Sequence, residues 1–199
     1  MVLQNELNER IQRWALLSHP FYQAWESGKL PVEALRTYAR EYGAFIGQLP
    51  SGWSLLLDEG TAQEEREHAA LWSEFATGLE TSVGKPELPA VTALVTKANK
   101  LFSRLETALG ALYAFEVQQP DTAKTKLEGL RKHYNLPNLT EAYFQVHTAN
   151  HHEAAKLLAQ IAMLRPDDRE MALEACEQMS QALWDALTDI YNKHCQINQ

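Results

Sequence analysis

The chain has 199 residues, 45% of them hydrophobic, which is enough apolar material for the core of one ordinary domain. Its 18 Lys and Arg residues against 26 Asp and Glu residues give a net charge of −8, which disfavours nucleic acid and anionic membrane surfaces as partners. The sequence lacks the run of ~20 apolar residues that spans a bilayer, and its charged N-terminus does not resemble a signal peptide. Two cysteines form no disulfide framework. We expect one cytoplasmic domain over residues 1–199.

Apolar residues recur at helical spacing along the first half of the chain. A first stripe breaks at His19-Pro20, and a short helix follows over residues 21–26. Pro31 suits the first turn of a long helix, because its missing N–H is not needed there, and Pro50 should end or kink that helix. The next stripe predicts a helix over residues 61–79.

The second half continues the same pattern. It predicts helical structure from Leu94 to Glu116 with a break near Lys100, then helices over residues 120–134 and 140–161. Asp167 is a plausible N-cap for the last helix. The sequence therefore predicts an all-α bundle of seven or eight helices, in which polar residues on apolar stripes are the candidates for a site.

Glu116 is one such residue, since it falls in register with the apolar stripe of Leu105, Leu109 and Leu112. A buried carboxylate must be paired, protonated or bound to a cation, because removing its charge from water without a partner costs roughly several kcal/mol. Both a cation site and a simple buried ion pair or hydrogen bond satisfy this requirement.

His68 lies on the stripe of the helix over residues 61–79, with Glu64 and Glu65 one turn before it. A Glu-x-x-His pattern on an inward helix face is typical of di-iron bundles. The alternative is a solvated first turn, where acidic residues are favourable.

His147 and His151 stand four residues apart, so that on one helix face they could bind one metal ion. The same helical phase places His152 and Glu153 on the surface. Three helices that each carry an inward carboxylate or imidazole together favour one shared metal site.

Three segments resemble a known family. The segment HPFYQAWESGKLPVEALRTYAREY (residues 19–42) resembles the opening of the TenA/PqqC-like bundles of haem-oxygenase type. The segments ALYAFEVQQPDTAKTKLEGLRKHY (111–134) and EAYFQVH (141–147) are similar to the CADD-like branch of di-metal oxidases. The similarity extends over residues 4–190.

The resemblance implies a haem-oxygenase-like bundle of seven to eight helices around a central cavity, often dimeric. In the di-metal members, glutamates and histidines from three helices bind two irons that activate dioxygen. By position, Glu116, His68 and His147 match family ligands. The glutamate before His68 is assigned to Glu64, with Glu65 or Glu59 as alternatives.

The CADD-like branch makes p-aminobenzoate by oxidising one of its own tyrosines, with a lysine implicated as the amino donor. Tyr22 and Lys126 fall at the matching positions. The alternatives are an ordinary buried aromatic for Tyr22 and a helix-surface lysine for Lys126.

The chain departs from the family in its last metal helix, which reads His-x-x-x-Asp-x-x-His. Here His151 stands at the Asp position and Ala154 at the second His position. If this chain had a one-residue deletion relative to the family, Asn150 would stand at the Asp position and Glu153 at the second His position. Within a continuous helix, such a deletion would rotate every residue that follows it.

Two hypotheses follow. The first is a metal-dependent oxidase, homodimeric, with one or two ions of iron or manganese. It would act on its own Tyr22 or on a small molecule in a central cavity, through the ligand set Glu64, His68, Glu116, His147 and His151. The second is a metal-free small-molecule-binding protein or pseudoenzyme on the same TenA-like bundle.

Overall fold

A computed structural model describes residues 2–149 and 152–195. Within these ranges the chain forms eight helices of eleven or more residues, three shorter helices and no strand, which confirms the predicted all-α bundle. The helices are α1 (Val2–Gln12), α2 (Pro20–Glu26), α3 (Val32–Ile46), α4 (Leu49–Leu55), α5 (Glu59–Gly78), α6 (Pro89–Leu101), α7 (Leu105–Glu116), α8 (Gln119–His133), α9 (Ala142–His147), α10 (His152–Ala162) and α11 (Pro166–Cys195). Single 3-10 turns occur at Leu16–Ser18 and Asn138–Thr140.

The helix starts follow from local chemistry. Pro20, Pro50, Pro89 and Pro120 each lie in the first turn of a helix, where proline leaves no hydrogen bond unmade. The Asp58 carboxylate caps α5 by accepting a hydrogen bond from the backbone N–H of Thr61 at 3.0 Å. The predicted break near Lys100 is confirmed between α6 and α7.

Two predictions about the helix boundaries in the second half are wrong. The last helix begins at Pro166, so that Asp167 lies in its first turn rather than at the N-cap. The predicted helix over residues 140–161 is not continuous, because α9 ends at His147 and is followed by a turn at Thr148 and Ala149 before α10 begins at His152. Side chains after the turn therefore need not keep the helical phase of those before it.

The longest helix, α11, packs along α7 and α6 and also contacts α1, α2 and α3. Helix α10 also packs against α7. The end of α7 therefore places Glu116 in the interior, where its side chain is buried.

An aromatic cluster fills the space between α2, α3, α5 and α9. Its rings contact one another edge to face, with centroids 5.7 Å apart for Trp25 and Tyr38 and 5.0 Å apart for Phe75 and Phe144. No helix in the two described ranges is long and apolar enough to cross a membrane.

Candidate metal centre and the neighbouring tyrosine–lysine pair

Glu65 and His68 of α5 meet His147 of α9 in the interior, with ligand atoms that all lie within 4.8 Å of one another. The His68 Nδ1 atom is 3.0 Å from the Glu65 Oε1 atom, and the rings of His68 and His147 have centroids 4.3 Å apart. Glu65 and His147 are 1% exposed. The second oxygen of Glu65, Oε2, is buried without a hydrogen-bond partner, and it is therefore free to take a ligand.

Two further buried carboxylates adjoin these three side chains. Glu116 at the end of α7 accepts a hydrogen bond from the Trp53 indole at 3.4 Å. Its pKa lies well above the ordinary value because it is buried and because Glu65 and Glu153 bring negative charge close to it. Glu153 of α10 is 1% exposed. Three carboxylates so close together, in a region with little water, require protons or a cation.

The burial of Glu153 contradicts its predicted surface position. The prediction assumed an unbroken helix through His147, and the turn at Thr148 and Ala149 removes that assumption. His152, the residue before it, is exposed as predicted, with 57% of its side chain accessible.

The structure separates the predicted glutamates of α5. The Glu64 side chain is 53% exposed and lies 3.9 Å from the imidazole of His152, outside the buried group. The Glu59 carboxylate pairs with Arg66 on the surface. Glu65, the alternative to Glu64, is the glutamate beside His68 and His147. The fifth predicted ligand, His151, lies outside the described residues.

His147 is oriented by its own helix. Its Nδ1 atom lies 2.6 Å from the backbone carbonyl oxygen of Tyr143, an acceptor, so that Nδ1 carries the proton and Nε2 keeps its lone pair. Burial first, and the neighbouring His68 second, lower the pKa of His147 to about 3. A neutral imidazole with one nitrogen fixed by a carbonyl is the usual form of a metal-binding histidine.

His68 is in the opposite electrostatic situation. Burial lowers its pKa, but the hydrogen bond that His68 donates to Glu65 and the negative charges of Glu65 and Glu153 outweigh burial, and the net result is a raised pKa. The two side chains form an ion pair when His68 is protonated, and the neutral imidazole has a lone pair that could bind a metal ion.

Lys126 of α8 lies in the core rather than on the helix surface. It is 2% exposed, and its Nζ atom donates a hydrogen bond to the Tyr38 hydroxyl at 3.3 Å. The same Nζ atom is 5.3 Å from the centre of the Tyr22 ring. Burial lowers the pKa of Lys126 to about 7 and raises the pKa of Tyr22 to about 12.

A line of polar groups leads from Tyr22 towards His147. Thr122 lies beside Tyr22, whose pKa it lowers, and its hydroxyl lies 3.3 Å from the Gln119 side-chain oxygen. The Gln119 amide donates to the Tyr143 hydroxyl at 2.9 Å, and the Tyr143 ring lies 4.3 Å from the His147 ring. Sequence reasoning missed Gln119. Its position, one turn after Glu116 at the start of α8, was the available signal.

A family model and two similar proteins of known activity place this chain in the same family. A family model described as an iron-containing redox enzyme matches residues 51–184. A 4-aminobenzoate synthase of Chlamydia muridarum is 31% identical over 92% of this chain and 87% of its own length. A 4-aminobenzoate synthase of Nitrosomonas europaea is also 31% identical, over 96% of this chain and 92% of its own length.

The fold has relatives of known structure. A domain with a haem-oxygenase-like fold from Shewanella denitrificans superposes with a TM-score of 0.76 at 17% identity, over 96% of this chain and 92% of that one. At this identity the likeness concerns the fold, and it confirms the predicted haem-oxygenase-like bundle.

Proposed function

The chain belongs to the haem-oxygenase-like family of iron-containing redox enzymes, and from this premise we propose that it is an iron-dependent oxidase that converts its own Tyr22 into 4-aminobenzoate. In this proposal Lys126 supplies the amine nitrogen. The observation that carries it is the placement of the buried Lys126 amine over the Tyr22 ring, at 5.3 Å from its centre. The names of the two curated relatives support the product, and the buried carboxylates and imidazoles support the metal.

The donor set fits an iron site. Carboxylate oxygens and imidazole nitrogens suit iron and manganese, and the unpartnered Oε2 atom of Glu65 is a vacant donor. A divalent cation would also offset the mutual repulsion that raises the pKa of Glu116. The residues that would hold it are Glu65, His68, Glu116, His147 and Glu153. Bound iron would supply the one-electron chemistry by which dioxygen oxidises an organic group.

The residues around Tyr22 and Lys126 set the protonation states of both reactive groups. The raised pKa of about 12 keeps Tyr22 a neutral phenol at physiological pH. The lowered pKa of about 7 leaves Lys126 partly neutral, so that its nitrogen carries a lone pair. Tyr38 holds this amine through the 3.3 Å hydrogen bond.

Comparing reactant and product defines the overall change. Tyrosine and 4-aminobenzoate share a benzene ring that carries one carbon substituent. The phenol oxygen of Tyr22 must leave as water, and the Nζ–Cε bond of Lys126 must break so that the nitrogen takes its place on the ring and Cε ends as an aldehyde. The Cβ of Tyr22 must be oxidised to a carboxylate and its bond to Cα must break, with Cα taking a hydrogen. Dioxygen is the oxidant, and an external reductant supplies the electrons that reduce the remaining oxygen to water. Because both residues belong to the chain, each chain makes at most one product molecule.

The test is isotopic. Protein carrying ¹⁵N-lysine and ring-¹³C-tyrosine is loaded with Fe²⁺, with and without Mn²⁺, and exposed to dioxygen and a reductant. We expect 4-aminobenzoate that carries both labels by mass spectrometry, at no more than one equivalent per chain. Tyr22→Phe and Lys126→Met should abolish labelled product, whereas Tyr191→Phe and Lys97→Met, which change half-buried residues of α11 and α6, should not.

A metal-free binding protein is the second candidate, and one observation favours it. The 3.0 Å contact between Glu65 Oε1 and His68 Nδ1 lets these two side chains form an ion pair without any metal. Protein that retains no iron after exposure to excess Fe²⁺, and makes no labelled product, would favour this alternative.

A further inference from the structure

A groove of about 290 Å³ lies on the surface between α1, the 3-10 turn at Leu16–Ser18 and the junction of α7 and α8. The same junction carries Glu116 and Gln119, which are buried in the core. The groove wall is fixed to this junction, because the Gln118 side-chain oxygen accepts a hydrogen bond from the backbone N–H of Leu16 at 2.9 Å. One short segment of chain therefore separates the groove from the interior.

Thr122 connects the groove to the reactive residues. It lines the groove and is only 2% exposed. Thr122 also lies beside Tyr22 and lowers its pKa against the larger effect of burial. Thr122 is therefore at the boundary between the groove and Tyr22.

The lining of the groove suits a small aromatic molecule. Pockets of roughly 300–1,000 Å³ hold drug-sized ligands, so that about 290 Å³ fits a molecule of one ring. Most of the lining is apolar and comes from Ile11, Ala15, Leu16, Leu17 and Val117.

The polar residues of the groove fall into two types. The Asp121 carboxylate accepts hydrogen bonds, and the Asn8 and Gln12 side-chain amides donate them. An acceptor suits an arylamine, and amide N–H groups suit a carboxylate. A ring that carries both an amine and a carboxylate would find a partner of each type among these residues.

We propose that this groove is the site where released 4-aminobenzoate binds before it leaves the protein. The ring packs against the apolar wall, the amine donates to Asp121, and the carboxylate accepts from Asn8 and Gln12. The proposal rests on the proposed function, since that function generates the ligand at Tyr22, behind Thr122.

The test uses Tyr22→Phe protein, which cannot form its own product, titrated with 4-aminobenzoate by calorimetry and by ligand-observed NMR. We expect saturable binding that Ala15→Trp weakens by about tenfold or more, because the indole fills the groove. The matched control is Ala93→Trp, which fills a second groove of about 220 Å³ between α6 and α11 and should leave affinity unchanged.

A second variant tests the recognition of the amine without filling the groove. Asp121→Asn should weaken 4-aminobenzoate by about tenfold, the usual loss for a hydrogen bond to a charged group, and should leave the weaker binding of benzoate unchanged. Asp121 is exposed, so that this variant should fold even if Ala15→Trp does not.

The outcomes separate the two proposals. No saturable binding, or binding that survives both Ala15→Trp and Asp121→Asn, would overturn the groove site, even if native protein makes labelled 4-aminobenzoate. Binding that both variants weaken, in a protein whose native form makes no product, would uphold the groove site and overturn the proposed function.

Discussion

Lys126 is held in the core at an electrostatic cost. Its charge loses hydration there, and the rings of Tyr22, Tyr38 and Phe144, at 5.0–5.7 Å, offset this loss only in part. Burial therefore lowers its pKa to about 7. An apolar side chain of similar length at position 126 would fill the same space without this cost. The resulting difference in the stability of the protein can be measured.

We expect Lys126→Met to stabilise the protein, and to do so most at low pH. The unfolded chain keeps a lysine pKa of about 10.4, so between pH 7 and 10 it binds more protons than the folded chain does. The unfolding free energy of the native protein therefore rises with pH in this window, and the variant lacks this rise. The advantage of Lys126→Met should shrink by about 2–3 kcal/mol between pH 6 and pH 9.

Urea unfolding at the two pH values provides the measurement. Lys97→Met, which changes a half-buried lysine of α6, is the control for removing a lysine away from the aromatic cluster. An advantage of Lys126→Met that stayed constant from pH 6 to pH 9 would contradict a lowered pKa at this residue.

At the scale of the helices, the apolar periodicity was sufficient to predict the fold but not the helical phase at the site. The stripes correctly predicted the long helices and the break near Lys100, because apolar spacing and proline report directly on helix geometry. The sequence over residues 147–152 contains neither Gly nor Pro, so the end of α9 at His147 carried only the weaker signals of a histidine in the last turn and Asn150 after it. Tertiary packing sets that end, and with it the inward position of Glu153.

The choice between Glu64 and Glu65 was undecidable from sequence for a related reason. Both residues lie within one turn of His68, at i−4 and i−3, and each could share a cation with it. The direction in which α5 faces the interior decides between them, and that direction depends on helices far away in sequence. Burial of Glu116 could be predicted, because Leu109 and Leu112 of its own helix mark the same face and are buried, although Leu105 of that stripe is 43% exposed.

These neighbouring glutamates provide a matched test of the metal centre. We expect Glu65→Gln and Glu153→Gln each to weaken iron binding by at least about tenfold, since each removes a buried carboxylate ligand. Glu64→Gln, on the exposed side of the same helix, should bind iron as the native protein does. Iron content after equilibrium dialysis against a graded chelator checks this. Equal losses in Glu64→Gln and Glu65→Gln would contradict the placement.

At the scale of the whole molecule, the site depends on how closely α7 approaches α11. A Cβ atom at Gly110 would lie 1.8 Å from the carbonyl oxygen of Ala172, so the two backbones come together where only glycine fits. Gly110 lies six residues before Glu116 on α7. The close approach therefore constrains the height and rotation at which this helix places Glu116 beside the other buried carboxylates.

We expect Gly110→Ala to destabilise the protein by about 1–3 kcal/mol or more, because the obstructing atom belongs to the backbone and cannot rotate away. The matched control is Gly47→Ala at the end of α3, where φ is −64° and the nearest atom to a new Cβ lies 3.6 Å away. That control should be neutral or stabilising by less than about 1 kcal/mol.

Urea unfolding gives both values, and the iron content of the folded Gly110→Ala protein gives the consequence for the site. If separating α7 from α11 shifts Glu116, iron affinity falls with stability. A destabilised variant that still bound iron at native affinity would show that Glu116 is positioned by its contact with Trp53 and not by the packing of α7 against α11.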